Sequence, residues 1–263
     1  MVKLSQQPKA EVISVVASPS PTVTPAFTPF GTYNRPVIKK ADKYNIFLIG
    51  DSMTHAFGPR GGIFTELLTK EYPDRKFEVY NFAEAGYNIQ QVSERFDEEI
   101  QASEELRWRP ITSGDPVPNL IIIESFGYNP LSQLGRDEGM RKQEEVLTEI
   151  IKKLSERYPE TVIMFLATIA PDKKTYSESA TGADAQGRWI QAEERIEYIT
   201  NHIDYAKEHN IPLIDAYHPS LDSEGDGDTV YINPDDDIHP SAEGLAHIAR
   251  IMVKRIQEEK IFP

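Results

Sequence analysis

The chain contains no cysteine, which excludes disulfides, thiolate metal sites and a cysteine nucleophile while leaving the redox compartment open. No stretch approaches the ~20 apolar residues of a membrane-spanning helix. Residues 12–17 are too few, and already interrupted by Ser14, to form the apolar centre of a signal peptide. The expectation is therefore a cytosolic protein, or one whose signal or anchor has been removed ahead of Met1. Positive charge is also scarce: 28 Lys and Arg against 42 Asp and Glu leave a net charge of −14. That balance argues against nucleic acid and anionic membranes as main partners. The deficit is uneven, because residues 1–43 carry six Lys/Arg and two Asp/Glu, a net +4, which leaves −18 on the rest. Polyanionic substrates are disfavoured, and neutral ones are left open.

What is present suffices for a sizeable core: 263 residues, 39% of them hydrophobic. Residues 18–29 hold nine Ser, Thr or Pro among twelve, too little apolar surface to offset the cost of ordering. The segment 1–43 is thus expected to be a disordered or extended linker, of the composition that tethers surface enzymes to an anchor. From residue 44 strands and helices alternate. The expected strands are 44–50, 76–83, 120–123, 161–168 and 211–216, and the expected helices 63–72, 89–106, 136–158, 188–208 and 241–258. Residues 107–118, with Pro110, Gly114, Pro116 and Pro118, form a loop. Five strands separated by helices imply one α/β domain, 44–263, with a parallel sheet covered on both faces.

Chemistry enters at the end of the first strand. Ile46-Phe47-Leu48-Ile49 stops abruptly at Gly50-Asp51-Ser52. Ligands of open α/β sheets sit outside the carboxyl ends of the strands, so Ser52 is a candidate nucleophile. A serine hydroxyl needs an imidazole to take its proton and a carboxylate to orient that imidazole. Asp236 precedes His239 by three residues, and one turn sets the carboxylate against the ring. His202 and His209 lie on a charged helix and read as surface, and His247 falls within the last helix. His218 follows the fifth strand without a local carboxylate at a comparable spacing. His55 competes as base, although neighbours on a tight turn usually diverge.

Acyl transfer also needs donors aimed at a developing oxyanion. Gly86, in the run Asn81 to Asn88 after the second strand, allows a backbone N–H to approach a ligand. Asn129, in Gly127-Tyr128-Asn129-Pro130 after the third strand, offers a side-chain amide. The run from Asp222 to Asp228 imitates a calcium loop, but Asn233 stands where the bidentate glutamate belongs, so it reads as a flexible acidic loop.

Gly50-Asp51-Ser52, the Asn81–Gly86 block, Gly127-x-Asn129 and Asp236-x-x-His239, in this order, resemble the four sequence blocks of the SGNH (GDSL-type) hydrolases. The resemblance implies a three-layer α/β/α, flavodoxin-like domain with a five-stranded parallel sheet, and serine esterase activity without metal or cofactor. It implies Ser52 as nucleophile, His239 as base and Asp236 as its orienter. It implies an oxyanion hole made of the N–H groups of Ser52 and Gly86 and the amide of Asn129. No second glycine follows Ser52, unlike the strained G-x-S-x-G elbow of the α/β-hydrolases. Pro130 stands where family members often carry aspartate, and Tyr128 replaces a smaller residue, both at the acyl or alcohol pocket.

The tether, the polar surface and the lack of a long apolar lid point to short acyl groups, such as O-acetyl, on a carbohydrate. The alternatives are a lipase or thioesterase, an O-acyltransferase, and a non-catalytic surface-binding module. The location expected from the linker is extracytoplasmic, at a cell surface, with a possible membrane tether upstream.

Overall fold

The computed structural model describes residues 31–96 and 111–263. The Ser/Thr/Pro-rich stretch 18–29 and the second half of the helix expected over 89–106 lie outside the described residues. Five strands form one sheet: β1 (Lys43–Ile49), β2 (Lys76–Asn81), β3 (Leu120–Glu124), β4 (Val162–Ala167) and β5 (Leu213–Asp215). Every pairing is parallel and the order is β2-β1-β3-β4-β5. Parallel neighbours need crossovers, and helices supply them: α1 (Ser52–His55), α2 (Gly62–Glu71), α3 (Ile89–Glu94), α4 (Arg136–Arg157), α5 (Glu178–Thr181), α6 (Ala185–Glu208) and α7 (Ala242–Glu258).

The near-continuous apolar strands follow from burial on both faces. In β1, Ile46 and Leu48 enter one core with Phe64 and Leu68 of α2 and Ile248, Met252 and Ile256 of α7. Phe47 and Ile49 point the other way, to a core with Val92 of α3 and Leu147, Ile150 and Leu154 of α4. The two-residue period of β1 thus feeds both layers. Helix α6 contributes to both, through Ile199 and Ile203 on one side and Tyr198 and Tyr205 on the other. The result is the expected three-layer α/β/α domain.

Helix starts carry side-chain caps. Asn88 and Gln91 form a capping box on α3, Asp184 accepts Gly187 N–H at 2.8 Å on α6, and Ser241 accepts Gly244 N–H at 3.0 Å on α7. The Asp184 cap moves the start of α6 to 185, ahead of the expected 188. β5 is shorter than expected because Ile211 N–H bonds Ala206 O as α6 ends, and Pro212 has no N–H to give. Part of the segment assigned to the linker is packed: Tyr33 and Ile38 are buried, and the Tyr33 hydroxyl accepts Ile163 N–H at 2.8 Å.

Candidate active site

The strand order decides what Ser52 can meet. β1 lies between β2 and β3, so the loops leaving those two strands flank the end of β1. Gly86 follows β2 and Asn129 follows β3. The β1/β3 junction is also where the chain's direction of winding reverses, the usual ligand crevice of such sheets.

Ser52 is the first residue of α1 and is half-buried. Asp51 caps that helix from extended backbone, its Oδ1 accepting Met53 N–H at 2.9 Å. This cap leaves Ser52 N–H without an acceptor among the described residues. Gly50 is required by packing, since a Cβ there would stand 2.7 Å from Thr54 Oγ1 and 2.8 Å from Glu124 Cβ. Gly86 has φ +78°, and a Cβ would meet nothing within 4 Å, so its backbone lies open. Asn81, of the same block, is structural: its Nδ2 donates to Thr54 O at 2.9 Å and Gly58 O at 3.0 Å, while its Oδ1 accepts Ala83 N–H at 3.1 Å. It therefore locks the second loop onto the nucleophile helix.

Asn129 donates from Nδ2 to Asp51 Oδ2 at 3.0 Å. One amide hydrogen is thereby fixed on the residue before Ser52, and the other remains to be offered to a ligand. On the far side, Asp236 Oδ2 lies 2.9 Å from His239 Nδ1, and its Oδ1 accepts the N–H groups of Ile238 and His239, each at 2.9 Å. Burial opposes ionisation of Asp236, but these N–H groups and the His239 ring outweigh it and hold the carboxyl below its ordinary value. A carboxylate on Nδ1 selects the tautomer whose Nε2 carries a lone pair. The loop is closed by Asn233 N–H on His239 O at 2.7 Å and by Ser179, which donates to Asp237 Oδ2 from its hydroxyl at 2.7 Å.

One group escaped the sequence reading, and a second, around Tyr128, was read only in part. Glu124 ends β3 and, like Asp51, is 0% exposed. Its Oε2 accepts Asp51 N–H at 3.1 Å, and its Oε1 accepts the Ser125 hydroxyl at 2.7 Å and Phe126 N–H at 3.0 Å. Burial and then the charge of Asp51 push Glu124 well above the carboxylate range. Burial also raises Asp51, against the pull of the Asn129 amide, Met53 N–H, Glu124 and the charge of His239. The available signal was a lone acid closing an otherwise apolar strand. The second group is an aromatic corner. Tyr128 is buried, its hydroxyl donating to Ile169 O at 3.3 Å, with the Tyr176 ring 6.1 Å away and Arg195 Nε donating to the Tyr176 hydroxyl at 3.0 Å. The charge of Asp51 acts on both tyrosines.

The other histidines require corrections. His202 is not on the surface: it is fully buried, its ring stacked on Phe165 at 4.1 Å, and burial pushes it down to about 3. His209 is also buried, against Tyr205 at 4.2 Å. The charged neighbours on α6 hid the inward-facing positions of both. His218 does have a local carboxylate: Asp215 Oδ2 lies 2.6 Å from its Nδ1, and Asp215 Oδ1 accepts His218 N–H at 3.1 Å. His55 bonds Ala83 O through Nδ1 at 2.9 Å, which fastens it to the second loop. His247 stacks on Tyr231 at 4.2 Å.

The acidic run after β5 spends its carboxylates on its own backbone. Asp222 Oδ1 accepts the N–H groups of Glu224 and Asp226 at 2.8 and 3.0 Å, and Asp226 Oδ1 accepts Lys173 N–H at 3.0 Å.

Comparison with known proteins identifies the family and the fold. The model of the GDSL-like lipase/acylhydrolase family matches residues 48–247. No curated protein matches the chain significantly in sequence. Among solved structures, the fold is similar to that of a candidate GDSL-like lipase from Parabacteroides merdae (TM-score 0.61, 15% identity, covering 86% of this chain and 100% of that one). It is also similar to the lipase/acylhydrolase from Enterococcus faecalis (TM-score 0.55, 17% identity, 82% and 96% covered). An acetyl xylan esterase is a further fold relative (TM-score 0.54, 17% identity, 81% and 99% covered).

Proposed function

Since the chain belongs to the GDSL-like lipase/acylhydrolase family, we propose that it is a serine esterase that hydrolyses carboxylic esters through an acyl-serine intermediate. The observation that carries this reading is the convergence at Asp51. The residue before Ser52 bonds the Asn129 amide and feels the charge of His239. These two links to the neighbour of Ser52 support reading Ser52, Asn129 and His239 as nucleophile, oxyanion donor and base of one site.

In this mechanism His239 Nε2 takes the Ser52 proton as the oxygen attacks the ester carbonyl. The oxyanion is received by Ser52 N–H, Gly86 N–H and the second hydrogen of the Asn129 amide. His239 then gives its proton to the leaving alcohol. In the second half it deprotonates water, which attacks the acyl-serine and returns the free hydroxyl and the carboxylic acid. Asp236 keeps the ring in the working tautomer and stabilises the imidazolium. No step calls for a metal or cofactor.

We further propose short acyl groups, such as O-acetyl on a carbohydrate. Tyr128 stands where the family commonly has a smaller residue, and it and Tyr176 are bulky buried side chains that feel the charge of Asp51, which supports a pocket too short for a long acyl chain. An acetyl xylan esterase among the fold relatives is compatible with that substrate class. The Ser/Thr/Pro-rich stretch 18–29 supports an extended tether at a cell surface as part of the same proposal.

A p-nitrophenyl ester series on the full chain tests the reading. Acetate should be released with a kcat/KM at least about tenfold above that for octanoate. Preference for long acids would turn the assignment toward a lipase or thioesterase. Acyl transfer to an added sugar in place of hydrolysis would turn it toward an O-acyltransferase, and no turnover of any ester toward a binding module.

A further inference from the structure

The corner behind Ser52 contains two carboxyl groups with no Lys or Arg paired to them among the described residues. Asp51 and Glu124 are both 0% exposed. Two buried carboxyls in contact cannot both ionise, so the pair retains a proton. Asp51 faces His239 and receives the Asn129 amide and Met53 N–H, which favour its charged form. Glu124 faces Asp51 from β3, its Oε2 accepting Asp51 N–H at 3.1 Å, with Tyr128 also within its field.

Glu124 is itself held from behind. Its Oε1 takes the Ser125 hydroxyl and Phe126 N–H, and Ser125 O accepts Gln143 Nε2 at 2.8 Å. Gln143 Oε1 in turn accepts Asn201 Nδ2 at 3.0 Å, so the chain of bonds runs back to α4 and α6. At its front end Asp51 has two duties: it caps the helix that presents Ser52 and it orients Asn129. A carboxylate free to rotate would release one or both.

We propose that Glu124 is a positioning residue of the acyl-transfer site, its carboxyl accepting Asp51 N–H and so fixing Asp51 as joint support of Ser52 and the Asn129 oxyanion donor. This inference rests on the roles proposed above for Ser52 and Asn129. Glu124 touches neither substrate nor reacting atoms. It acts on rate through the direction in which the free amide hydrogen of Asn129 points. Glutamine preserves the contact to Asp51, because its oxygen can accept Asp51 N–H while its NH₂ donates to the Ser125 hydroxyl, at the cost of the bond from Phe126 N–H.

The test compares the native full chain with Glu124→Ala, Glu124→Gln, Asn129→Ala and the double variant Glu124→Ala/Asn129→Ala, using p-nitrophenyl acetate and circular dichroism. Glu124→Ala should lower kcat about 10²-fold with KM within about twofold, the size of effect expected for a misdirected oxyanion donor. Glu124→Gln should recover at least about tenfold of that loss. On the Asn129→Ala background, Glu124→Ala should cost less than about threefold, because the group it positions is already gone. The inference is overturned by a folded Glu124→Ala protein with native kcat, by a Gln variant no better than Ala, or by an undiminished cost without Asn129. Should Glu124→Ala fail to fold, Glu124→Gln decides: kcat within about tenfold of native supports the inference, and a loss equal to that of Asn129→Ala overturns it. A native protein with no ester turnover would instead refute the proposed function itself, which separates the two failures.

Discussion

The molecule contains the same local device twice. Asp215 and His218, and Asp236 and His239, are each three residues apart, each with the carboxylate on Nδ1 and on the histidine's own N–H. Bond lengths do not favour the second pair: 2.6 Å in the first, 2.9 Å in the second. What separates them is placement. Asp215 ends the edge strand β5, three strands from β1, and the His218 side chain is 55% exposed. The charge of His239, in contrast, acts on Asp51 at the end of β1. A carboxylate–imidazole pair is a common local turn; in the proposed mechanism the fold decides which copy has a nucleophile to serve.

The sharpest way to break this comparison is to remove what only one pair is proposed to serve. Ser52→Ala should lower kcat by about 10⁴-fold or more with the fold intact, measured by ester turnover and circular dichroism. Next come the paired histidines: His239→Ala should lower kcat about 10³-fold or more, while His218→Ala should stay within about twofold of native. Equal losses would mean that placement is not the criterion. The carboxylates follow at smaller size, with Asp236→Asn costing about 10²-fold or more through the wrong tautomer and Asp215→Asn leaving turnover unchanged.

A third histidine sharpens the contrast through stability. The folded chain keeps His202 neutral down to about 3, whereas the unfolded chain protonates it near its ordinary 6.5. Between those values the unfolded state binds the extra proton, so this group costs stability as pH falls from 6.5 toward 3. The slope should be about 1 kcal/mol per pH unit in urea midpoints, and His202→Leu should remove it. An unchanged slope in that variant would place the acid sensitivity elsewhere.

Much of the architecture was legible in the sequence because apolar runs such as Leu120 to Ile123 admit few alternatives to a buried parallel strand. Asp236 and His239 were legible because three residues is a fixed distance around one turn. Asp215 was passed over because it reads as the last residue of a strand, although it serves the loop that follows. His202 and His209 were misplaced because helix α6 touches both cores, so its charged stripe is narrow and spacing alone did not show which residues turn inward. Glu124 stood out as a lone acid on an apolar strand, but its partner was illegible for a different reason. Its role depends on β1 and β3 lying side by side with Gly50 leaving room between them, which is a property of the assembled sheet.

The central claim, that Ser52 is the nucleophile activated by His239 and not by the look-alike at His218, is tested most directly by fluorophosphonate labelling followed by peptide mapping. The account predicts an adduct on Ser52 alone, formed at native rate in His218→Ala and slowed at least about 10²-fold in His239→Ala. An adduct on another serine, or labelling that depends on His218, would contradict it.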